Sequence, residues 1–323
     1  MKSFTVSKDD NDKRLDKFLS KVCPSLPNAL LYKYIRLKRI KVNGKRAAAD
    51  MRLKTGDKID AYISDEFFVS KHPKYDFLSA SDKLNIVYED ENIIVADKPQ
   101  GLLCHPDDKE FSDTLIGRIK RYLYEKGEYN PENSQSFTPA LANRIDRNTG
   151  GLVLAAKTAQ ALRILCEKIK EREIDKRYLA VVHGIPREKT AILEAFLEKN
   201  EKKNKVYLSD KKRDNNRTIR TKYTVIKAKN GLSLIEVELL TGRTHQIRAH
   251  MASIGHPLLG DGKYGRINED KKIGFTKQAL YSYKLSFSFK TDAGALNYLN
   301  KKTIKVKDVY FAKQLFDITV EDI

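Results

Sequence analysis

The residues best suited to chemistry lie in Leu141-Ala142-Asn143-Arg144-Ile145-Asp146-Arg147-Asn148-Thr149-Gly150-Gly151-Leu152-Val153-Leu154-Ala155-Ala156-Lys157. Polar residues and a glycine pair run straight into an apolar stretch, which predicts a loop delivering Asp146 to the mouth of a buried strand. A carboxylate held there between two arginines could act as a nucleophile or a base. Taken alone, such an aspartate is more often a salt-bridged turn residue. Two later segments change the weighting. Asp175-Lys176-Arg177-Tyr178-Leu179-Ala180-Val181-Val182-His183-Gly184 places a tyrosine in a strand-like run. Thr241-Gly242-Arg243-Thr244-His245-Gln246-Ile247-Arg248-Ala249-His250-Met251, continuing through Gly255-His256-Pro257 to Gly260-Asp261 and Tyr264-Gly265, sets arginines and histidines at the start of a predicted helix. His245 and His250 invite a zinc reading, but their spacing of five suits one helical face poorly and no third ligand is evident, so no metal is expected.

Other elements must position these residues. Residues 86–88 and 93–96 flank Glu89-Asp90-Glu91-Asn92 as a hairpin, and Asp97-Lys98-Pro99-Gln100-Gly101 follows as a turn with a structural role. Residues 158–173 have helical spacing of Leu162, Leu165, Cys166 and Ile169, which assigns Cys166 to the core. Residues 199–222 are polar, with nine basic and three acidic residues from 201 to 222, and read as a loop that either touches RNA or is a plain insertion. Lys229-Asn230-Gly231 joins two alternating strands. The run 304–306 and a helix near 309–315 read as packing.

The first part of the chain reads separately. Leu15, Phe18, Leu19 and Val22 share a helical face that Pro24 ends; a second helix starts near Asn28, and Asn43-Gly44 and Gly56-Asp57 mark turns. From residue 33 to 46 there are seven basic residues (Lys33, Arg36, Lys38, Arg39, Lys41, Lys45, Arg46) and no acidic one. Residues 1–64 carry +9 of the chain's net +19, so the excess is concentrated where it could hold phosphates. Residues 65–82 have no clear period and read as a linker, which leaves 83–323 as the larger domain.

With 323 residues and 41% hydrophobic content, the chain can build a sizeable core beside a small domain. Cys23, Cys104 and Cys166 have neither metal-ligand nor disulfide spacing. No dinucleotide fingerprint or phosphate-cradling loop is present, and neither a signal segment nor a membrane-spanning run is seen. A cytoplasmic protein without cofactor, metal or membrane partner is expected.

In order and spacing, the three chemical segments resemble the RluA/RluC/RluD-type family of pseudouridine synthases over about residues 84–290. The first 64 residues resemble the alpha-L RNA-binding module named after a small-subunit ribosomal protein. The resemblance implies an α+β fold: a small α/β RNA-binding module, then a catalytic domain on a mixed, mainly antiparallel sheet. It implies Asp146 as the essential carboxylate, Arg248 as its cation, and Tyr178 stacking on uracil or moving a proton. Arg144 would fill the space vacated by a flipped base, and Arg243 would hold phosphate or local backbone. The substrate implied is large-subunit (23S) ribosomal RNA, acted on by a monomer. Transfer RNA as substrate, and a non-catalytic role in RNA binding or ribosome assembly, are the alternatives. The chain departs from the family at Asn143 (commonly His), at Gly150 (commonly Ser, so that a hydroxyl is lost and the backbone loosened), and at Lys38-Arg39, where the module commonly has glycine.

Overall fold

The computed structural model describes residues 1–69, 75–108, 110–132, 136–200, 205–214 and 216–323. The chain opens with β1 (Lys2–Thr5), α1 (Leu15–Val22) and α2 (Asn28–Arg36), followed by β2 (Ile40–Val42), β3 (Lys45–Arg46) and β4 (Lys58–Ala61). These strands form a four-stranded sheet in the order β1-β4-β2-β3. Leu15, Phe18 and Leu19 of α1 and Leu31 and Ile35 of α2 pack on Ile40, Val42 and Ile59. Each such side chain contributes roughly 1.5–3 kcal/mol of burial. The turn out of α2 needs a left-handed residue. Lys38 supplies it, with φ +61°, while its N–H and that of Arg39 bond back to Ile35 and Tyr34. This is the position where glycine is the unstrained choice, so the departure leaves the turn geometry intact at some conformational cost. Asn43 and Gly44, both at positive φ, make the tight hairpin turn that their types predict.

Segment 65–82 divides between the two cores. Phe67 and Phe68 pack on the small unit, whereas Phe77 is buried with the larger domain. The two parts also touch directly, because the Ser136 hydroxyl hydrogen-bonds to both Asp10 and Lys13.

The larger domain contains β5 (Ile86–Glu89), β6 (Ile93–Lys98), β7 (Ala140–Leu141), β8 (Gly150–Ala156), β9 (Ile174–His183), β10 (Thr190–Asn200), β11 (Lys205–Ser209), β12 (Arg217–Lys229), β13 (Leu232–Leu239), β14 (Leu280–Phe287) and β15 (Thr303–Lys305). They form one sheet in the order β11-β10-β12-β13-β9-β14-β8-β6-β5, with β7 on β8 and β15 on β14. Only β14 and β8 pair in parallel among the described strands; the other pairs are antiparallel. The expected mixed, mainly antiparallel sheet is therefore present.

Alternation along the strands assigns the two faces. Ile93, Val95, Leu152, Leu154, Leu179, Val181 and Leu234 point to one face, covered by α4 (Ala159–Lys170) and the C-terminal helix Tyr310–Phe316. Ile94, Ala96, Val153 and Ala155 point to the other, under α3 (Leu115–Glu125). Further along that second face Tyr178, Ala180, Val182, Ile235 and Val237 lie under α5 (Gln246–Ser253). The Asp146 loop runs between α3 and α5, and Ile145 packs against both clusters.

Two expectations need correction. Cys166 is exposed, because the helical stripe that faces the sheet runs through Ala161, Leu165 and Lys168, one step around from it. Much of segment 199–222 is not a loop: β11 and the start of β12 extend the sheet on either side of β10. Residues 201–204 and 215 of that segment lie outside those described. No described helix is long and apolar enough to cross a membrane.

Candidate active site

Asp146 lies in the loop between β7 and β8, directly before a strand whose seven residues are all buried. Several bonds fix this loop. The Lys98 Nζ donates to the carbonyls of Pro99 (3.0 Å), Leu102 (2.8 Å) and Arg147 (3.0 Å). These use all three donors of an ammonium. Burial lowers the Lys98 pKa to about 8. The Gly101 N–H donates to the Arg147 carbonyl at 2.8 Å, and the Arg147 Nε returns a 3.0 Å bond to Gly101. The Cys104 thiol donates to the Ile145 carbonyl at 3.4 Å. Asn143 accepts from the Leu154 N–H at 2.8 Å, so the family departure there still pins the loop to the strand.

Gly150 is paired with Tyr281 across the parallel β14–β8 contact, and a Cβ on it would lie 2.4 Å from the Tyr281 ring. The glycine thus makes room for that ring, whose hydroxyl donates to Asp97 at 2.7 Å. The expected loosening is replaced by a packed contact.

Arg248 reaches Asp146 from the first turn of α5, with Nη1 donating to Oδ2 at 3.1 Å. Its other edge is gripped by Asp261: Nε to Oδ2 and Nη2 to Oδ1, both 2.7 Å. This fork-to-fork pairing fixes the plane of the guanidinium. Asp261 is fully buried and also accepts from the N–H groups of Lys263 (2.8 Å) and Tyr264 (3.2 Å). Burial works against both charges. The mutual hydrogen bonds nevertheless hold Arg248 above its ordinary pKa and Asp261 below the usual carboxylate range. One cation thus stands between two carboxylates, one sealed in the protein and the other, Asp146, partly exposed toward the cleft.

His245 adopts a left-handed conformation at the helix start, φ +54°. Its Nδ1 lies 3.1 Å from the Tyr264 hydroxyl, which itself accepts from the Val206 N–H at 2.8 Å. In the tautomer with the proton on Nε2, that hydroxyl donates to Nδ1, and Nε2 lies 3.8 Å from Asp146. Burial lowers the His245 pKa to about 4, so the ring is neutral near pH 7 and forms no ion pair with Asp146. His250 points elsewhere, its Nδ1 on the Thr221 hydroxyl at 2.7 Å.

Tyr178 sits at the centre of the sheet, opposite Val237 on one side and Ser282 on the other. It is 5% exposed and shares the cleft face with Ile247 and Met251 of α5. Burial, with the field of Asp146 adding to it, raises its hydroxyl pKa. Asp146, Arg248 and Tyr178 therefore converge from a loop, a helix and a strand. Arg144 and Arg243 are exposed on the rim and make no ion pair among the described residues.

In the small unit, six of the seven basic residues are exposed and Lys41 is half-buried; among the described residues none forms an ion pair. Arg36 and Arg46 line a concave surface with Tyr32 and Ala47. Arg39 and Lys41 lie over the rings of Tyr34 and Tyr62 at 5.2 and 5.4 Å.

Sequence reasoning gave Asp261 and Lys98 no part in the site. The signal for Asp261 was a carboxylate 13 residues after Arg248, beyond any helical period; for Lys98 it was a lysine at the end of an apolar strand.

Comparison with known proteins identifies the family. The profile described as RNA pseudouridylate synthase matches residues 92–253, and that of the S4 domain matches residues 13–59. An uncharacterised RNA pseudouridine synthase of Mycoplasma genitalium is 34% identical over 289 residues, covering 88% of each chain. Ribosomal large subunit pseudouridine synthase C of Rickettsia typhi is 34% identical over 263 residues, covering 78% of this chain and 82% of its own. Ribosomal large subunit pseudouridine synthase D of Borreliella burgdorferi is 30% identical over 289 residues, covering 88% and 84%. A cleft with a carboxylate, a fixed arginine and a buried tyrosine, behind a basic S4 domain, is thus found in a chain that belongs to the RNA pseudouridylate synthase family, isomerases that convert uridine to pseudouridine.

Proposed function

We propose that this enzyme isomerises specific uridines of large-subunit (23S) ribosomal RNA in the cytoplasm, with Asp146 as the catalytic carboxylate, Arg248 as its cation and Tyr178 as the partner of the base. The observation that carries the chemical part is the 3.1 Å bond from Arg248 to Asp146, with Arg248 anchored by Asp261 on its other edge. Such a cation offsets the charge of the carboxylate once RNA covers the cleft and removes water. The choice of RNA is supported by relatives named as ribosomal large subunit synthases of both the C and D types.

The reaction breaks the bond from the sugar's anomeric carbon to a ring nitrogen, turns the base, and joins the same carbon to a ring carbon. The proton on that ring carbon is lost and the freed nitrogen ends protonated, so nothing is oxidised, reduced or hydrolysed. Asp146 serves either by attacking the anomeric carbon or by taking a sugar proton and passing through an unsaturated sugar. The Tyr178 ring offers a face for uracil, and its hydroxyl, held protonated, can shuttle the ring proton. The base must first leave its stack, at roughly a few kcal/mol. Arg144, two residues from Asp146 in the same loop, would fill the gap. Arg243 on the rim and Lys33, Arg36, Lys38, Arg39, Lys41, Lys45 and Arg46 in the S4 domain would hold phosphates.

The test maps pseudouridine in ribosomal and transfer RNA from cells with the protein, without it, and with Asp146→Asn. Large-subunit sites should vanish in both altered strains, and purified Asp146→Asn should lose at least about 10³-fold in rate, or ~4 kcal/mol of barrier. Loss confined to transfer RNA would move the substrate; full activity of Asp146→Asn would remove the assigned carboxylate.

A further inference from the structure

A groove of about 250 Å³ lies where the S4 domain meets the catalytic domain. Lys21 reaches it from α1 and Lys120 from α3; His105, Phe111 and Thr138 help form its walls, and Asp76 is the one acid among the described lining residues. Neither lysine makes an ion pair or a side-chain hydrogen bond among the described residues. Lys120 is half-buried. Burial holds its ammonium below the ordinary range; Asp76 opposes this and the charge of Lys21 adds to it. The two domains therefore bring like charges together and provide a single carboxylate to offset them. An anion between the lysines would relieve that repulsion.

The positive charge continues toward the reaction centre. Burial lowers the His105 pKa, and the nearby charges of Arg144 and Lys120 add to it. Lys21 and Lys120 thus share the groove with a neutral His105, and Arg144, two residues from Asp146, is near enough for its charge to act on that ring. Phe111, 49% exposed, stands at the same groove. The N-terminus of α3 also opens here, but its N–H groups are already committed. Leu115 donates to Leu103, Ile116 to Cys104 and Gly117 to the Thr114 hydroxyl. Binding in the groove therefore falls to the side chains.

We propose that this interdomain groove holds the sugar–phosphate backbone of the substrate RNA, so that the S4 domain and the cleft grip one continuous stretch of RNA. The inference rests on the reading of large-subunit ribosomal RNA as substrate. A phosphodiester suits the site because it is a compact anion.

The experiment uses the full chain and an unmodified 23S ribosomal RNA transcript. It measures binding across a salt series, and pseudouridine formed, for wild type, Lys21→Gln/Lys120→Gln and Lys21→Arg/Lys120→Arg. The glutamine pair should weaken binding roughly tenfold at low salt and flatten the slope of log affinity against log salt by about 0.7 to 1.8. The arginine pair should keep the slope. An unchanged slope in the glutamine pair overturns the proposal. Weaker binding with an unchanged slope assigns the lysines to docking of the two domains and overturns it as well. A flattened slope in an enzyme that forms no pseudouridine in this transcript would sink the substrate reading while leaving the groove as an RNA contact.

Discussion

Two arginine-bearing regions of this enzyme use their charge in opposite ways. In the S4 domain, Arg36, Arg39 and Arg46 are exposed and form no ion pair with a described residue. In the cleft, Arg248 is 5% exposed and spends its N–H groups on Asp261 and Asp146. A free surface cation costs the fold little and is available to a polyanion. A buried one is tolerated only because protein carboxylates satisfy it, and its value lies in geometry. The contrast predicts which substitutions damage the fold, which damage the chemistry, and which damage RNA binding alone.

The largest effect on stability is expected at Asp261. Asp261→Asn leaves a buried guanidinium short of its counter-charge, and breaking such a pair typically costs about 3–5 kcal/mol. Arg248 would then lose its fixed plane, and a misplaced group of this kind costs about 10²-fold in rate. Thermal melting and pseudouridine formation at permissive temperature check both. Wild-type turnover in Asp261→Asn would show that Asp146 alone orients Arg248.

Acid should separate the two regions next. His245 and His250 are buried and their pKa values are lowered to about 4, from an unfolded value near 6.5. The unfolded chain binds those protons first, so stability is lost as pH falls from about 6.5 toward 4, by a few kcal/mol in total. Residues 1–64 contain no histidine. Hydrogen exchange at pH 7 and pH 4.5 should therefore show weakened protection in the catalytic domain and little change in the S4 domain. Equal weakening in both would refute the assignment.

Neutralising the free cations should do the reverse. Arg36→Gln/Arg46→Gln should flatten the salt dependence of RNA binding by about 1.4–1.8 while changing stability by less than about 0.5 kcal/mol. A drop in melting temperature like that of Asp261→Asn would mean these arginines are structural.

How much of this was legible in the sequence follows the same division. The Asp146 loop was readable because a polar stretch ending in a glycine pair meets an apolar run, whereas the role of Asp146 rested on its resemblance to a family over three segments. The S4 helices and the Asn43-Gly44 turn were readable because period and turn chemistry are local. Asp261 was not, because its partner is reached through tertiary packing and no period links the two. Lys98 looked like part of a turn, since nothing local says that an ammonium is buried beneath three carbonyls. Polar β11 was hidden because strand alternation needs one apolar face, and of its five residues only Val206 is buried. Cys166 was misplaced because one step around a helix separates a buried position from an exposed one.

The smallest effect tests the price of charge at a single position. Lys38 takes the left-handed conformation that closes α2, φ +61°, and a side chain there costs about 1 kcal/mol relative to glycine. Lys38→Gly should stabilise the S4 domain by about 0.5–1 kcal/mol, somewhat less than the full strain because glycine also loosens the unfolded chain. Lys38→Ala removes the same charge but keeps the strained backbone. The two variants should lose RNA affinity equally and differ in stability, with glycine the more stable. If they melt together, Lys38 pays no conformational cost; if only the glycine variant loses affinity, its backbone, and not its ammonium, contributes to binding.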